Sequence, residues 1–227
     1  MKQELIWDYF QTRGREAFSG SLARLAFLAK QVGMQKVLNI GVGDGMFERQ
    51  AINAGANVYS LDPSEDAIER LRHELGLGEK AAVGYIHDIK FSNGSFDAVV
   101  VSEVLEHLDD ETLRKGLKEV ERVLRPGGHL LGTVPARENL QDQMVVCPHC
   151  GERFHRWGHS QSFDVARLRE LLTRSFEVKE ISERIFITWG MLNWKGKFGG
   201  MVKWFLFRLG VHGSNESLYF VARKPNM

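Results

Sequence analysis

Cysteine is scarce in this chain, which has only Cys147 and Cys150 among its 227 residues. Both lie within one four-residue window. In a reducing compartment, two thiols this close together favour metal or redox chemistry and argue against a structural disulfide.

Long apolar runs are absent as well. No stretch reaches the ~18 to 20 apolar residues that a membrane span needs. Residues 1–16 (MKQELIWDYFQTRGRE) are interrupted by charges and lack the apolar core and small-residue cleavage site of a signal peptide. We therefore expect a soluble, cytoplasmic protein.

Neither sign of charge is in excess, because 30 basic residues stand against 29 acidic ones. This balance argues against a protein that wraps nucleic acid electrostatically. The length suits one domain, since α/β units often run to ~200 to 250 residues, and repeats and low-complexity segments are missing. We expect residues 1–227 to form a single domain, and no pattern in the sequence sets an oligomeric state.

A glycine-rich turn follows the first apolar strand. Residues 36–45 read KVLNIGVGDG, and Asp62 ends the next apolar strand, NVYSLD. Glycine lacks a Cβ, so Gly41, Gly43 and Gly45 let the backbone turn sharply and approach a ligand, while an acid at the second strand's tip can bind two ribose hydroxyls. The pattern predicts a nucleoside site; a tight strand-to-helix connection is the alternative.

Strands and helices alternate along most of the chain. An amphipathic helix carrying Leu22, Leu25, Leu28 and Val32 closes an N-terminal helical region, 1–35. Strands are predicted at 37–40, 57–61, 82–86, 98–101, 129–134, 176–181 and 217–222, with helices at 47–54, 65–75, 111–124 and 165–175. This rhythm predicts an α/β fold with a doubly wound, mostly parallel sheet, whose last strand is antiparallel.

The glycine spacing also limits which nucleoside ligand the site could bind. A dinucleotide-binding turn places its third glycine three residues after the second, whereas here it comes two after. With Asp62, the segment GYIHDIKF containing Asp88, FDAVVVSEVLEHL and LRPGGHLL, all in order, the chain resembles the class I S-adenosylmethionine-dependent methyltransferases. The resemblance implies a seven-stranded Rossmann-like sheet, S-adenosylmethionine as cofactor and a cofactor-binding half at 37–136.

The resemblance also implies roles for single residues. Asp62 would bind the ribose, Asp88 the adenine amino group, and Ser102 the methionine part near the substrate. The full set of implied cofactor contacts is Asn39, Gly41, Gly43, Gly45, Asp62, Pro63, Asp88, Ile89, Ser102 and Glu103. Asn39 departs from the family, which usually has an acid there, because an amide can hydrogen-bond but supplies no charge for the cofactor's ammonium group.

The implied activity is methyl transfer to a small-molecule or lipid-precursor acceptor, at oxygen, by in-line displacement. A sulfonium is already an activated methyl donor, so the enzyme mainly aligns the nucleophile, the methyl group and the sulfur, and excludes water. The candidate catalytic residues are His107 and Glu103. His107, just past the fourth strand, is the candidate base for an acceptor hydroxyl. Its alternative role is to cap the following turn. A cofactor-binding module without turnover is a second alternative, favoured by Asn39 alone.

Glu103, Glu106 and His107 fall at i, i+3 and i+4 if their segment is helical. The spacing would bring two carboxylates and an imidazole to one face, where they can bind a divalent ion. A similar Glu-x-x-Glu-His occurs in the ubiquinone-biosynthesis O-methyltransferases, which this segment resembles. A solvated helix face explains the spacing equally well.

A cysteine- and histidine-rich insert occupies 145–160. Cys147 and Cys150 form a C-P-x-C-G knuckle, and His155 and His159 would complete a zinc-knuckle-like Cys₂His₂ site holding a structural zinc. A redox pair and a metal-free loop are the alternatives. The insert follows a parallel strand, so it is expected beside the substrate. An RNA acceptor, stacked by the knuckle, is the alternative substrate.

An aromatic and basic segment spans 186–213. It contains Trp189, Trp194 and Trp204 among other aromatic residues, with lysines and an arginine between them, and glycines are expected to break it into short pieces. We expect a lid packed over the substrate side, with a peripheral membrane contact or lipid-like acceptor as the alternative.

Overall fold

The structure, a computed structural model, describes residues 6–7, 9–10, 20–213 and 216–226. Its strands are β1 (Lys36–Ile40), β2 (Asn57–Asp62), β3 (Ala81–Val83), β4 (Phe96–Ser102), β5 (Leu124–Pro135), β6 (Met144–Val146), β7 (Arg153–His155), β8 (Glu177–Arg184) and β9 (Ser217–Arg223). Its main helices are α1 (Leu22–Val32), α2 (Met46–Asn53), α3 (Glu65–Leu75), α4 (Asp110–Val123), α5 (Val165–Leu172) and α6 (Trp194–Arg208). The rest of the predicted N-terminal helical region, 1–5, 8 and 11–19, lies outside the described residues.

Seven strands form one sheet in the order β3-β2-β1-β4-β5-β9-β8. The ladders from β3 to β5 are parallel, and β9 pairs antiparallel with both of its neighbours. This confirms the predicted mostly parallel, doubly wound sheet with an antiparallel last strand. β6 and β7 form a separate hairpin.

The sheet is covered on both faces, as continuous apolar strands require. The central strands β1 and β4 are almost wholly buried. On one face they pack against α4 and α5 through residues such as Leu117 and Leu168, and on the other against α1 and α2 through Leu28 and Phe47. Because both faces are occupied, the open edge at the carboxyl ends of the strands is left for a ligand.

Side-chain caps fix where several helices begin. Ser64 accepts a hydrogen bond from the Ala67 backbone N–H at the start of α3, and Asp109 does the same for Thr112 in α4. Such caps satisfy amide groups that the first helical turn leaves unpaired. The two caps fix where α3 and α4 begin after the loops that follow β2 and β4.

The aromatic and basic segment differs from the expectation. Its residues Trp194–Arg208 form one continuous helix, α6, capped by Asn193, where the sequence predicts short pieces broken by glycines. No side chain of α6 is buried, so the expected packing of this segment as a lid is not formed. Among the described residues, no helix has both the length and the apolar character to span a bilayer.

Candidate functional site

A cavity of about 740 Å³ opens at the carboxyl ends of β1, β2, β4 and β5. Its size suits a small-molecule ligand, since the pockets that bind such ligands commonly measure ~300 to 1,000 Å³. Its lining includes residues from the glycine turn, from the ends of β2 and β4, from the segment after β5 and from the insert. The ends of neighbouring parallel strands thus converge on one crevice.

The glycine turn passes from β1 into α2 with a left-handed backbone. Gly41 has a φ of +84° and Gly45 a φ of +80°, and Gly43 between them also has a positive φ. A Cβ at Gly41 would lie 2.6 Å from Cγ2 of Val104. Side chains are therefore excluded here both by conformation and by packing.

Asp62 ties this turn to the end of β2. Its carboxylate is 1% exposed and accepts hydrogen bonds from the backbone N–H groups of Val42 at 2.8 Å and Ser64 at 2.9 Å. A carboxylate has roughly four acceptor positions, so it can accept further bonds from ligand hydroxyls. Asp62 and the adjacent Pro63 both line the cavity, where the sequence analysis expected them.

Asn39 lies at the cavity floor and leads to a buried acid that the sequence analysis missed. Its Nδ2 donates to Oε1 of Glu48 at 2.7 Å, and the Ser60 hydroxyl donates to the same oxygen at 2.9 Å. Glu48 is fully buried, and this burial raises the pKa of its carboxyl to about 7. Asn39 occupies the position where the family usually has an acid, and its amide is hydrogen-bonded to the titratable carboxyl of Glu48.

Asp88 and Ile89 are not among the residues that line the cavity, and their contacts with adenine stay a prediction. Asp88 is exposed and paired with Lys90, while Ile89 is buried in the core. β3 ends at Val83, three residues before the predicted Ile86. Residues 84–86 of the loop that follows it line the cavity.

Ser102, the last residue of β4, and Glu103, which follows it, both line the cavity. The Ser102 hydroxyl lies 3.0 Å from the hydroxyl of Thr133 in β5. Glu103 has a φ of +56°, a left-handed conformation that costs a non-glycine residue about 1 kcal/mol. Its carboxylate lies 3.7 Å from Arg24. Strained residues of this kind often occur at functional sites.

His107 lines the cavity but is a poor candidate for the base. Its Nδ1 lies 3.2 Å from both the Gly158 carbonyl oxygen and the indole nitrogen of Trp7. Burial, followed by the charge of His159, lowers the pKa of His107 to about 3. An imidazole this weakly basic gains little by accepting a proton at neutral pH.

The predicted metal face of Glu103, Glu106 and His107 is not formed. Only 105–107 makes a short 3₁₀ turn, and Glu103 points instead towards Arg24. Glu106 is fully buried, and within the described structure neither of its carboxylate oxygens has a hydrogen-bond partner. Burial, followed by the nearby Glu103, raises the pKa of the Glu106 carboxyl well above its usual range.

The predicted Cys₂His₂ zinc site is not assembled either. Cys147 and Cys150 lie in the tip of the β6–β7 hairpin, whereas His155 is at its other end, paired with Met144. Each strand residue advances the chain by about 3.3 Å, so the two pairs of ligands lie at opposite ends of the hairpin. His159 instead belongs to a cluster with Glu138 and His155, whose ligand atoms are within 4.8 Å of one another.

That cluster forms a chain of polar contacts at the cavity wall. Nδ1 of His159 lies 2.5 Å from Oε2 of Glu138, and Nε2 of His155 lies 3.5 Å from Oε1 of Glu138. The backbone N–H of His159 donates to Nδ1 of His155 at 3.1 Å, so a neutral His155 carries its proton on Nε2, facing Glu138. Glu138 in turn accepts from Nδ1 of His159, which leaves Nε2 of His159 as a proton acceptor.

Sequence reasoning missed Glu138, although a signal was available. Glu138 comes three residues after β5 ends at Pro135, and the carboxyl ends of parallel strands border the ligand crevice. Both Glu138 and His159 line the cavity, together with Arg24 from α1 and Trp157 from the insert. The insert therefore does lie beside the cavity, through residues other than its cysteines.

The sheet order defines a Rossmann-like α/β fold. Residues 38–132 match the family described as a methyltransferase domain. The chain is 34% identical to a demethylmenaquinone methyltransferase of Clavibacter sepedonicus over 101 residues, which are 43% of this chain and 40% of that protein. It is 33% identical to a ubiquinone biosynthesis O-methyltransferase of Xanthomonas oryzae pv. oryzae over 100 residues, 42% of this chain and 41% of that protein. The matches thus span about two fifths of these curated relatives.

A solved structure supports the same fold over nearly the whole chain. The 1,6-didemethyltoxoflavin-N1-methyltransferase of Burkholderia thailandensis, solved with 1,6-didemethyltoxoflavin and S-adenosylhomocysteine, aligns with a TM-score of 0.65 at 16% identity. The alignment covers 98% of this chain and 87% of that one. The fold is therefore the Rossmann-like methyltransferase fold, in one domain.

Proposed function

We propose that this protein is an S-adenosylmethionine-dependent methyltransferase that acts on a hydroxyl oxygen of a small-molecule or lipid-like acceptor. The observation that carries the proposal is that one cavity is lined both by the glycine turn (Gly41 and Gly43) with Asp62 and by Glu138 with His159. The first pair of features suits a nucleoside, and the second suits proton removal from an acceptor. The similarity to quinone methyltransferases supports a lipid-like acceptor.

The residues of the cavity fit the cofactor in two respects. Asp62 presents a buried carboxylate to ribose hydroxyls, and the turn exposes backbone where a Cβ is excluded. Asn39 contributes an amide where a charge was expected, with Glu48 behind it. The cofactor supplies an activated methyl group. The chain supplies alignment of the acceptor and exclusion of water.

His159 and Glu138 replace His107 as the proposed base. His159 Nε2 accepts the acceptor's hydroxyl proton, while Glu138 fixes the ring through Nδ1 and stabilises the imidazolium that forms. This is the general carboxylate–imidazole arrangement of acid–base catalysis. His155 is a positioning residue, because it contacts Glu138 and not the cavity. The RNA alternative depended on a zinc knuckle that the structure does not assemble.

Calorimetric titration with S-adenosylhomocysteine tests the cofactor half of the proposal. We expect binding by the wild type and a loss of about 10- to 100-fold in affinity for Asp62→Asn, which removes a charged acceptor from the ribose site. The exposed Asp66→Asn is the matched control and should bind normally. Absence of binding by the wild type would contradict the proposal.

A panel of acceptors tests the transfer itself. Labelled S-adenosylmethionine should give product with at least one member of a set of quinols, catechols and lipid alcohols. Tight binding of the cofactor without turnover across the whole panel would instead identify a binding module, and labelling of amines alone would move the attacked atom from oxygen to nitrogen.

A further inference from the structure

The outward face of α6 is apolar, and the proposed methyl transfer does not use it. Trp194 is 74% exposed, Phe198 63% and Phe205 58%. Soluble monomeric proteins rarely expose contiguous apolar patches larger than a few hundred Å², and larger ones mark interaction sites. The apolar stripe of α6 consists of four exposed residues: Trp194, Phe198, Met201 and Phe205.

These four positions form one stripe. They are separated by four, three and four residues, so at 3.6 residues per turn they lie within about 60° of one another around the helix. The opposite side of α6 is its glycine side. There, a Cβ at Gly200 would lie 3.2 Å from the Trp189 ring, and one at Gly196 would lie 3.3 Å from Leu192. The glycine side of the helix therefore lies against the preceding segment, 187–193, and the aromatic side faces outwards.

Within 185–215, the segment that carries this stripe, the acidic and basic residues are of one sign. Residues 185–215 contain Lys195, Lys197, Lys203 and Arg208 but no aspartate or glutamate. The side chains of Lys195 and Arg208 lie over the rings of Trp194 and Trp204, at 5.6 and 5.4 Å from their centroids. Such cation–aromatic pairs hold positive charge at the edges of the apolar stripe. The surface therefore complements a partner that is both apolar and anionic.

A second copy of the chain fits this surface less well. A two-fold interface would place the same basic residues of both copies opposite each other, and like charges across an interface are unfavourable. A phospholipid surface meets both requirements, since acyl chains accept the aromatic stripe and anionic headgroups accept the flanking lysines. The helix has 15 residues, about 22 Å at 1.5 Å per residue, and suits an orientation in the plane of the interface.

We propose that α6 docks this protein on an anionic phospholipid surface, with the stripe of Trp194, Phe198, Met201 and Phe205 inserted among the acyl chains. Two residues that follow α6 in the chain, Gly213 and Ser217, line the cavity. Docking would bring the protein to the surface that holds a lipid-like acceptor. This consequence rests on the proposed lipid-like acceptor, but the docking itself does not.

Vesicle co-sedimentation of the full chain tests the proposal. We expect the wild type to sediment with phosphatidylcholine vesicles containing about one third phosphatidylglycerol, and at least about tenfold more weakly with phosphatidylcholine alone. The double variant Phe198→Glu, Phe205→Glu should lose at least about tenfold in binding. Lys195→Glu with Lys197→Glu should remove the preference for anionic vesicles.

A matched double charge reversal on α4, Arg114→Glu with Lys118→Glu, changes the net charge equally and should bind like the wild type. Retained binding of S-adenosylhomocysteine shows that each variant is folded, and failure of methyl transfer alone leaves the docking result standing. The proposal is overturned if the wild type ignores anionic vesicles at low salt, or if the aromatic variant binds as the wild type does. It is also overturned if the aromatic variant disrupts a dimer in sedimentation velocity while vesicles are not bound.

Discussion

Glu48 is a buried acid whose ionisation opposes folding. Burial raises its pKa from 4.5 to about 7, so between these values the folded state holds a proton that the unfolded state has released. The contribution of Glu48 to the free energy of unfolding is greatest below pH 4.5, decreases as the pH rises through 7, and is constant at higher pH. The cost at pH 8 is about 3 kcal/mol, taking about 1.4 kcal/mol per pKa unit.

Glu48→Gln should therefore stabilise the protein in a pH-dependent way. Glutamine keeps an acceptor for Asn39 and Ser60 but cannot ionise. Relative to the wild type, the free energy of unfolding should increase by about 2 kcal/mol more at pH 8 than at pH 5. Urea denaturation at both pH values measures this difference. A difference that does not change with pH would show that Glu48 does not titrate as described.

His159 and His107 give a second contrast between single residues. His159→Gln should lower kcat about 100-fold or more for a hydroxyl acceptor, because it removes the proposed base. His107→Gln should lower it by less than about tenfold, because an imidazole with a pKa of about 3 contributes little proton affinity. Steady-state kinetics with an acceptor found in the panel measures both.

An acceptor with a more acidic hydroxyl provides a control for the His159→Gln and His107→Gln variants. A phenol that is already ionised needs no base, so His159→Gln should approach wild-type rates with it, and binding of S-adenosylhomocysteine should not change. A larger loss for His107→Gln than for His159→Gln would reverse the assignment.

At the scale of elements, the strands and helices of the sheet could be predicted because their apolar periodicity is strong. The end of β3 could not, because β3 ends at Val83 and the predicted strand ended at Ile86. The spacing of the insert groups its histidines with its cysteines. Hairpin pairing, which the sequence does not reveal, instead brings His155 and His159 to Glu138.

Gly132 sets the distance between β4 and β5. A Cβ there would lie 1.8 Å from the Val101 carbonyl oxygen and 3.0 Å from the Phe220 ring. Gly132→Ala should therefore force two central strands apart and cost about 3 kcal/mol or more. Gly190→Ala, where the added Cβ meets nothing within 4 Å, is the control and should change stability by less than about 0.5 kcal/mol. Denaturant unfolding would refute the argument if both variants matched the wild type.

At the scale of the whole molecule, apolar burial is unevenly distributed. Two core clusters cover the faces of the sheet and share its central strands, whereas α6 contributes no buried residue to either. Regions with few buried contacts open locally at low free energy, while core strands exchange only when the whole protein unfolds. The chain should therefore combine one cooperative core with a helix that opens independently.

Hydrogen exchange measured by mass spectrometry tests this division. Amides of β1, β4 and β5 should exchange at the rate of global unfolding, and those of α6 should exchange at least about 100-fold faster, because opening α6 exposes little apolar surface that is not already in water. Anionic vesicles should slow exchange in α6 and leave β4 unchanged, since a bound partner stabilises only the segment it contacts. Protection of α6 equal to that of β4 in the free protein would mean that α6 is held by contacts as stable as those of the core.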